Sequence, residues 1–158
     1  MTRRILSEQT LEFVIPGKPL GSGSPVGSRK LIKQGIHNRQ GADGYRSLIS
    51  MIAKTAIAEQ GWNEPCYILV TIYLGNMKNL NKKQRAAFWE SEALPTRRPT
   101  CSKILQHVMA ALKGLAWKDD RQVVGVLVAK KYRKEEGVEV LLGYPKNWRE
   151  LNHDLRNA

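Results

Sequence analysis

The stretch "PTRRPTCSKILQHVMAALKGLAWKDD", residues 95 to 120, ends on two adjacent carboxylates, Asp119 and Asp120, behind a tryptophan. In a chain this basic, such a pair is the start of a divalent-metal site. A hard cation such as Mg2+ takes oxygen ligands, often one or two carboxylates completed by water and substrate phosphate. In phosphodiester hydrolysis it activates the attacking water and stabilises the leaving oxygen. Successive residues entering a strand point to opposite faces, so one aspartate of the pair faces a given site and further ligands must come from elsewhere.

The segment reads as one unit: a basic approach bracketed by prolines, a helix, a glycine stop and the aspartates. Thr100 and Ser102 are both N-cap types behind Pro99. Ile104, Leu105, Val108, Met109 and Leu112 then form one apolar face, and Gly114 ends the helix. Upstream, "LEFVIPGKPL" (11–20) predicts a strand running into a turn, and "YRSLISMIAKTAIAEQG" (45–61) a core-packing helix. "CYILVTIYL" (66–74) is a buried or half-buried strand, dense in β-branched and aromatic residues. A short basic helix around Lys82, Lys83 and Arg85 leads into an arm ending at Arg97 and Arg98. In it, Phe88 and Trp89 either stack on bases or pack at a core edge. "RQVVGVLVAKKYRK" (121–134) and "GVEVLLGY" (137–144) predict a hairpin. This order suits an α+β domain, a small mixed β-sheet with packed helices, in a single domain spanning 1–158. Residues 21–44 read as a basic flexible loop bearing Arg29, Lys30, Lys33 and Arg39, and residues 145–158 as a polar tail. The glycines of that loop match neither GxxxxGK[ST] nor GxGxxG, which argues against a nucleotide cradle.

Charge points to the partner. The chain carries 26 Lys plus Arg against 14 Asp plus Glu, a net +12. Residues 1–113 hold 17 of the basic and 7 of the acidic side chains, so the field belongs to the first two thirds. Such a field is the footprint of a polyanion partner, nucleic acid above all. No basic amphipathic helix with an aromatic face is visible, no apolar run approaches a bilayer span, and the N-terminus lacks a signal-peptide pattern, so a cytoplasmic protein without membrane contact is expected. Cys66 and Cys101 stand alone, without metal-ligand spacing, and read as buried thiols.

Three stretches carry a resemblance. "IPGKPLGSGSPVGSRK" looks like a "GKPxxxxRPR" opening, "NLNKKQRAAF" is similar to an "SxxKKxR" region, and "ALKGLAWKDDRQVVGVLVAKKY" matches "ALNGxxWxDDxQV" closely. Together they resemble the RusA-like Holliday junction resolvases, small dimeric Mg2+-dependent endonucleases of phages and prophages that cut four-way DNA junctions. The resemblance implies a RusA-like resolvase fold, a homodimer, a role in DNA recombination and repair, and a catalytic role for Asp120. It also implies a "KPDxDNLxK" motif opening the helix, where this chain reads "RPTCSKILQ". Thr100 and Ser102 take the two aspartate positions, Lys103 the asparagine and Gln106 the lysine position.

That departure shapes the expectation. A hydroxyl is a poor substitute for a carboxylate, and an ammonium about 4 Å from a cation is repelled by roughly 4 kcal/mol per unit of ion charge at an effective dielectric of 20. No metal cofactor is therefore expected, with Asp120 the one ligand if Mg2+ binds. Lys103 at a helix N-terminus can instead grip phosphate. The reading is a DNA-binding protein on a resolvase fold with nuclease activity lost, one that binds junctions or has been redirected to duplex DNA as a regulator. Its contacts are Arg29, Lys30, Lys33, Arg39, Lys82, Lys83, Arg85, Arg97, Arg98, Lys103 and Lys118. Two alternatives stand beside it. One is an active endonuclease with relocated ligands: Asp119 and Asp120 with Glu90, Glu92 or His107. Of these, His107 is badly placed to replace Ser102 and reads as a surface histidine. The other is a protein-interaction module that keeps only the fold and takes a protein partner.

Overall fold

The computed structural model describes residues 10–21, 41–57, 63–75, 79–90 and 93–144. Its elements are β1 (Thr10–Pro16), α1 (Ala42–Ala56), β2 (Cys66–Leu74), α2 (Lys82–Trp89), α3 (Cys101–Leu112), a 3-10 turn (Asp120–Gln122), β3 (Val123–Tyr132) and β4 (Gly137–Gly143). The four strands form one mixed sheet in the order β1-β4-β2-β3, with β3 parallel to β2 and the other two pairings antiparallel. This is an α+β fold of the kind found in RusA-like resolvases.

The alternation of β1 decides which way the sheet faces. Phe13 and Ile15 are buried, while Glu12 and Val14 between them are exposed. In register with them lie Val140 and Val138 on β4, then Val70 and Ile72 on β2, all buried. Onto this face pack α1, through Tyr45, Ile49 and Ala53 at four-residue intervals, and α3, through Ile104, His107, Val108, Ala111 and Leu112. The two helices run side by side. Ser50 donates to the Ala111 carbonyl at 3.0 Å and Arg46 to His107 at 3.3 Å.

Three expectations need correction. The hairpin does not exist: β3 and β4 are joined by a tight turn but lie on opposite sides of β2. The connection from Arg133 to Glu136 crosses the end of β2, where the Arg133 N–H donates to the Leu74 carbonyl at 3.0 Å. Gly75 makes that crossing possible, since a Cβ there would sit 2.9 Å from the Arg133 carbonyl oxygen. Next, α1 starts at Ala42 and stops at Ala56, so residues 42–44 belong to the helix and not to a loop. Of the predicted loop and tail, residues 22–40 and 145–158 lie outside the described residues. Lastly, Cys66 is buried, which pushes its thiol up to about 12, whereas Cys101 is only half-buried at the start of α3.

Candidate functional site

The aspartates sit at the C-terminal end of α3. Gly114, with φ of +83°, turns the chain out of the helix, and Trp117 folds back to be fully buried. Its indole Nε1 donates to Asp120 Oδ1 at 2.8 Å, and Lys113 Nζ lies 3.5 Å from Asp120 Oδ2. Asp119 caps the 3-10 turn by accepting the Arg121 N–H at 2.9 Å, and it accepts both Nε and Nη2 of the Arg121 guanidinium at 3.0 and 2.9 Å. These hydrogen bonds to Arg121 hold the Asp119 carboxyl down at about 2. Gln122 pins the same turn, accepting the N–H groups of Lys118 and Asp119 and donating to the Glu64 carbonyl.

Thr100 and Ser102 sit at the other end. Thr100 is the N-cap of α3, its Oγ1 accepting the Lys103 N–H at 3.3 Å and lying 3.3 Å from Ser102 Oγ. Lys103 Nζ lies 3.5 Å from Gln106 Oε1, so two of the changed motif positions meet each other. Pro99 and the arm before it are tied to the far end of the sheet. Lys130, near the end of β3, donates to the Arg97 and Pro99 carbonyls at 2.9 and 3.3 Å. Arg97 donates to the Gly75 carbonyl, lies 3.9 Å from Glu136 and stacks over Tyr132.

The segment has the predicted order of approach, helix, glycine stop and aspartates. With 12 residues at about 1.5 Å each, α3 holds its two ends roughly 18 Å apart. The described chain does not bring Thr100 and Ser102 to Asp120. A divalent cation at the N-terminal end would meet hydroxyls, an amide and the Lys103 ammonium, a donor set without charge to offset the ion's dehydration. At the C-terminal end, Asp120 already serves an indole N–H and an ammonium, and Asp119 a guanidinium. Neither end fits Mg2+. Among the described residues, no three His, Cys, Asp or Glu side chains converge.

The remaining candidates divide clearly. His107 is buried at 2% exposure, a correction to the surface reading, and is no accessible metal ligand. Its neighbours are the edge of the Tyr45 ring at 5.7 Å and Arg46, and burial with the Arg46 and Lys103 charges pulls its pKa down. Glu90 caps the C-terminus of α2, and Glu92 lies outside the described residues. On α2, Lys82, Lys83 and Arg85 are exposed, and no residue of that helix is buried. Phe88 packs on Tyr132 with ring centroids 4.4 Å apart, and Trp89 on Phe88 at 5.9 Å. Arg98 and Lys118 are exposed. Arg29, Lys30, Lys33 and Arg39 lie outside the described residues. The sequence reading missed Lys113, Lys130, Lys18 and Lys134. The first had a signal, a lysine closing the helix seven residues before Asp120.

No helix among the described residues is long and apolar enough to cross a membrane. The family model for endodeoxyribonuclease RusA matches residues 16–142. The chain is also 29% identical over 137 residues to "Uncharacterized protein YqaN" of Bacillus subtilis (strain 168), covering 84% of this chain and 94% of that protein. The matched span runs from the end of β1 into β4 and takes in both ends of α3, so the chain belongs to the RusA endodeoxyribonuclease family, with its Holliday-junction-resolvase-like DNA-binding fold.

Proposed function

We propose that this protein binds branched DNA through the basic N-terminal end of α3 and leaves it uncut. The observation that carries the reading is the pair of hydroxyls, Thr100 and Ser102, beside Lys103 at that helix N-terminus. A phosphate there meets an ammonium and free backbone N–H groups, which the helix dipole reinforces. Arg97, Arg98 and Lys130 surround the same end, and Lys82, Lys83 and Arg85 extend the positive surface along α2. Asp119 and Asp120 are structural in this reading, each paired within its own turn. Nuclease chemistry, which in the RusA family generally depends on Mg2+, is lost. A homodimer carries over from the resemblance and would present two such ends to the arms of one junction. A regulatory role in the cytoplasm of a phage-bearing cell fits binding without cleavage.

The deciding experiment titrates protein against a labelled four-way junction and a linear duplex of equal length, with Mg2+ or Mn2+ present. Tight junction binding, a steep salt dependence and intact strands are expected. Nicks that vanish in Asp120→Asn would overturn the loss of catalysis. No binding of either DNA at low salt would leave the protein-interaction reading in its place.

A further inference from the structure

Beyond the α3 end, the molecule holds an open cleft of about 760 Å3. That volume falls within the roughly 300–1,000 Å3 range of pockets for small organic ligands. Lys18 follows β1 on one wall. Lys82, Arg85 and Trp89 line it from one face of α2, three and four residues apart. Lys134 and Glu136 close it from the crossing between β3 and β4. The one carboxylate that the described residues bring to the cleft is already engaged, because Glu136 Oε1 accepts the Gly75 N–H at 3.0 Å and lies 3.9 Å from Arg97. The four cations form no ion pair among the described residues. Among the described residues, no core side chain comes from α2. None of its residues is buried, and its apolar contact runs through Phe88 onto Tyr132.

We infer that this cleft takes one unpaired nucleotide of a DNA strand, its base stacked on Trp89 and its flanking phosphates held by Lys18, Lys82, Arg85 and Lys134. The inference rests on the DNA-binding reading above and adds what kind of DNA is selected. Every base has a flat π-face, so stacking on an indole is tolerant of sequence but demands a base outside the helix stack. Paired duplex offers none, while branch points, gaps and bulges do. An acidic peptide would satisfy the cations but gives a half-buried indole no flat partner. The cleft lies beyond the C-terminal end of β3 and Asp120 before its N-terminal end. With 10 residues at about 3.3 Å each, the strand sets them roughly 30 Å apart. The cleft is thus a separate contact from the aspartate turn.

The test compares a duplex carrying a single bulged 2-aminopurine with its fully paired counterpart. The wild-type chain should bind the bulged duplex at least about fivefold more tightly and quench the probe. In Trp89→Leu the two affinities should converge and the quench should disappear, with Trp89→Phe falling between. Lys82→Gln combined with Arg85→Gln should weaken bulged binding and lower its salt slope by about 2. Equal wild-type affinity for the two duplexes overturns the inference, as does a preference that survives Trp89→Leu. So does competition by polyglutamate as effective as that by oligothymidylate of equal charge, which would assign the cleft to a protein. In each of these cases binding of paired duplex persists. Absence of binding to both duplexes at low salt overturns the underlying DNA reading instead.

Discussion

The two ends of α3 make a comparison within one molecule. At its N-terminus stand Lys103, Arg98 and Lys130, with hydroxyls where the family pattern has carboxylates, and none of the three cations forms an ion pair among the described residues. At its C-terminus stand two aspartates, each supplied with a cation from within seven residues of sequence. A metal ion needs carboxylates without cations beside them. A phosphodiester needs cations without carboxylates. Only the N-terminal end meets either condition, and it is the second one. Both aspartates have an architectural part: Asp120 gives the buried indole N–H of Trp117 its acceptor, and Asp119 caps the turn that starts β3.

If the aspartate end is architecture, its largest component should be a folding residue. Trp117→Ala removes a side chain with no exposed surface at the junction of α3 and β3. It should cost about 3–5 kcal/mol, seen as a lower urea midpoint. Junction affinity of the protein that remains folded should hold. An equal loss of DNA binding per folded molecule would erase the distinction between the two ends.

The N-terminal end predicts the reverse pattern. Lys103→Glu should leave the urea midpoint unchanged or slightly raised, because a carboxylate in the first turn suits the helix dipole. Junction affinity should fall on the order of tenfold at low salt, and the slope of log K against log salt should shrink by about 1. A variant that binds like wild type would remove Lys103 from the interface and with it the main support for a phosphate grip at this end.

Why the sequence displayed some of this and hid the rest can be argued residue by residue. The bounds of β2 were legible because Pro65 precedes it and six of its nine residues are β-branched or aromatic. The cap of α3 was legible from Thr100 behind Pro99. Strand pairing was not, because a four-residue connection is a usual length of a hairpin loop yet is also long enough to cross one neighbouring strand. Gly75, at the end of β2, was the available hint. His107 was hidden by its polar identity, although its spacing from Ile104 and Ala111 places it on the buried face. The separation of Thr100 and Ser102 from Asp120 was legible too, because the helix predicted between Thr100 and Gly114 already sets its two ends roughly 18 Å apart. The cleft at Trp89 joins three elements far apart in sequence, so no single window could display it.

The smallest effect sharpens the comparison from the acidic side. Asp119 is held at about 2 by Arg121, below the roughly 3.9 of an unfolded aspartate. A carboxyl depressed on folding contributes stability that is full above the unfolded value and is lost as pH falls through the folded one. Its contribution should therefore fade between about pH 4 and pH 2. Arg121→Gln removes the bidentate partner but keeps the backbone N–H on Asp119. Urea midpoints of wild type and variant should differ modestly at pH 5, with wild type higher, and converge by pH 2. The gap stays small because both side chains are substantially exposed, at 90% for Arg121 and 47% for Asp119. DNA affinity at neutral pH should not follow the substitution beyond the loss of one surface charge. A gap that widened towards pH 2 would mean that Asp119 is stabilised in its protonated form, and the pairing described for the aspartate end would then be wrong.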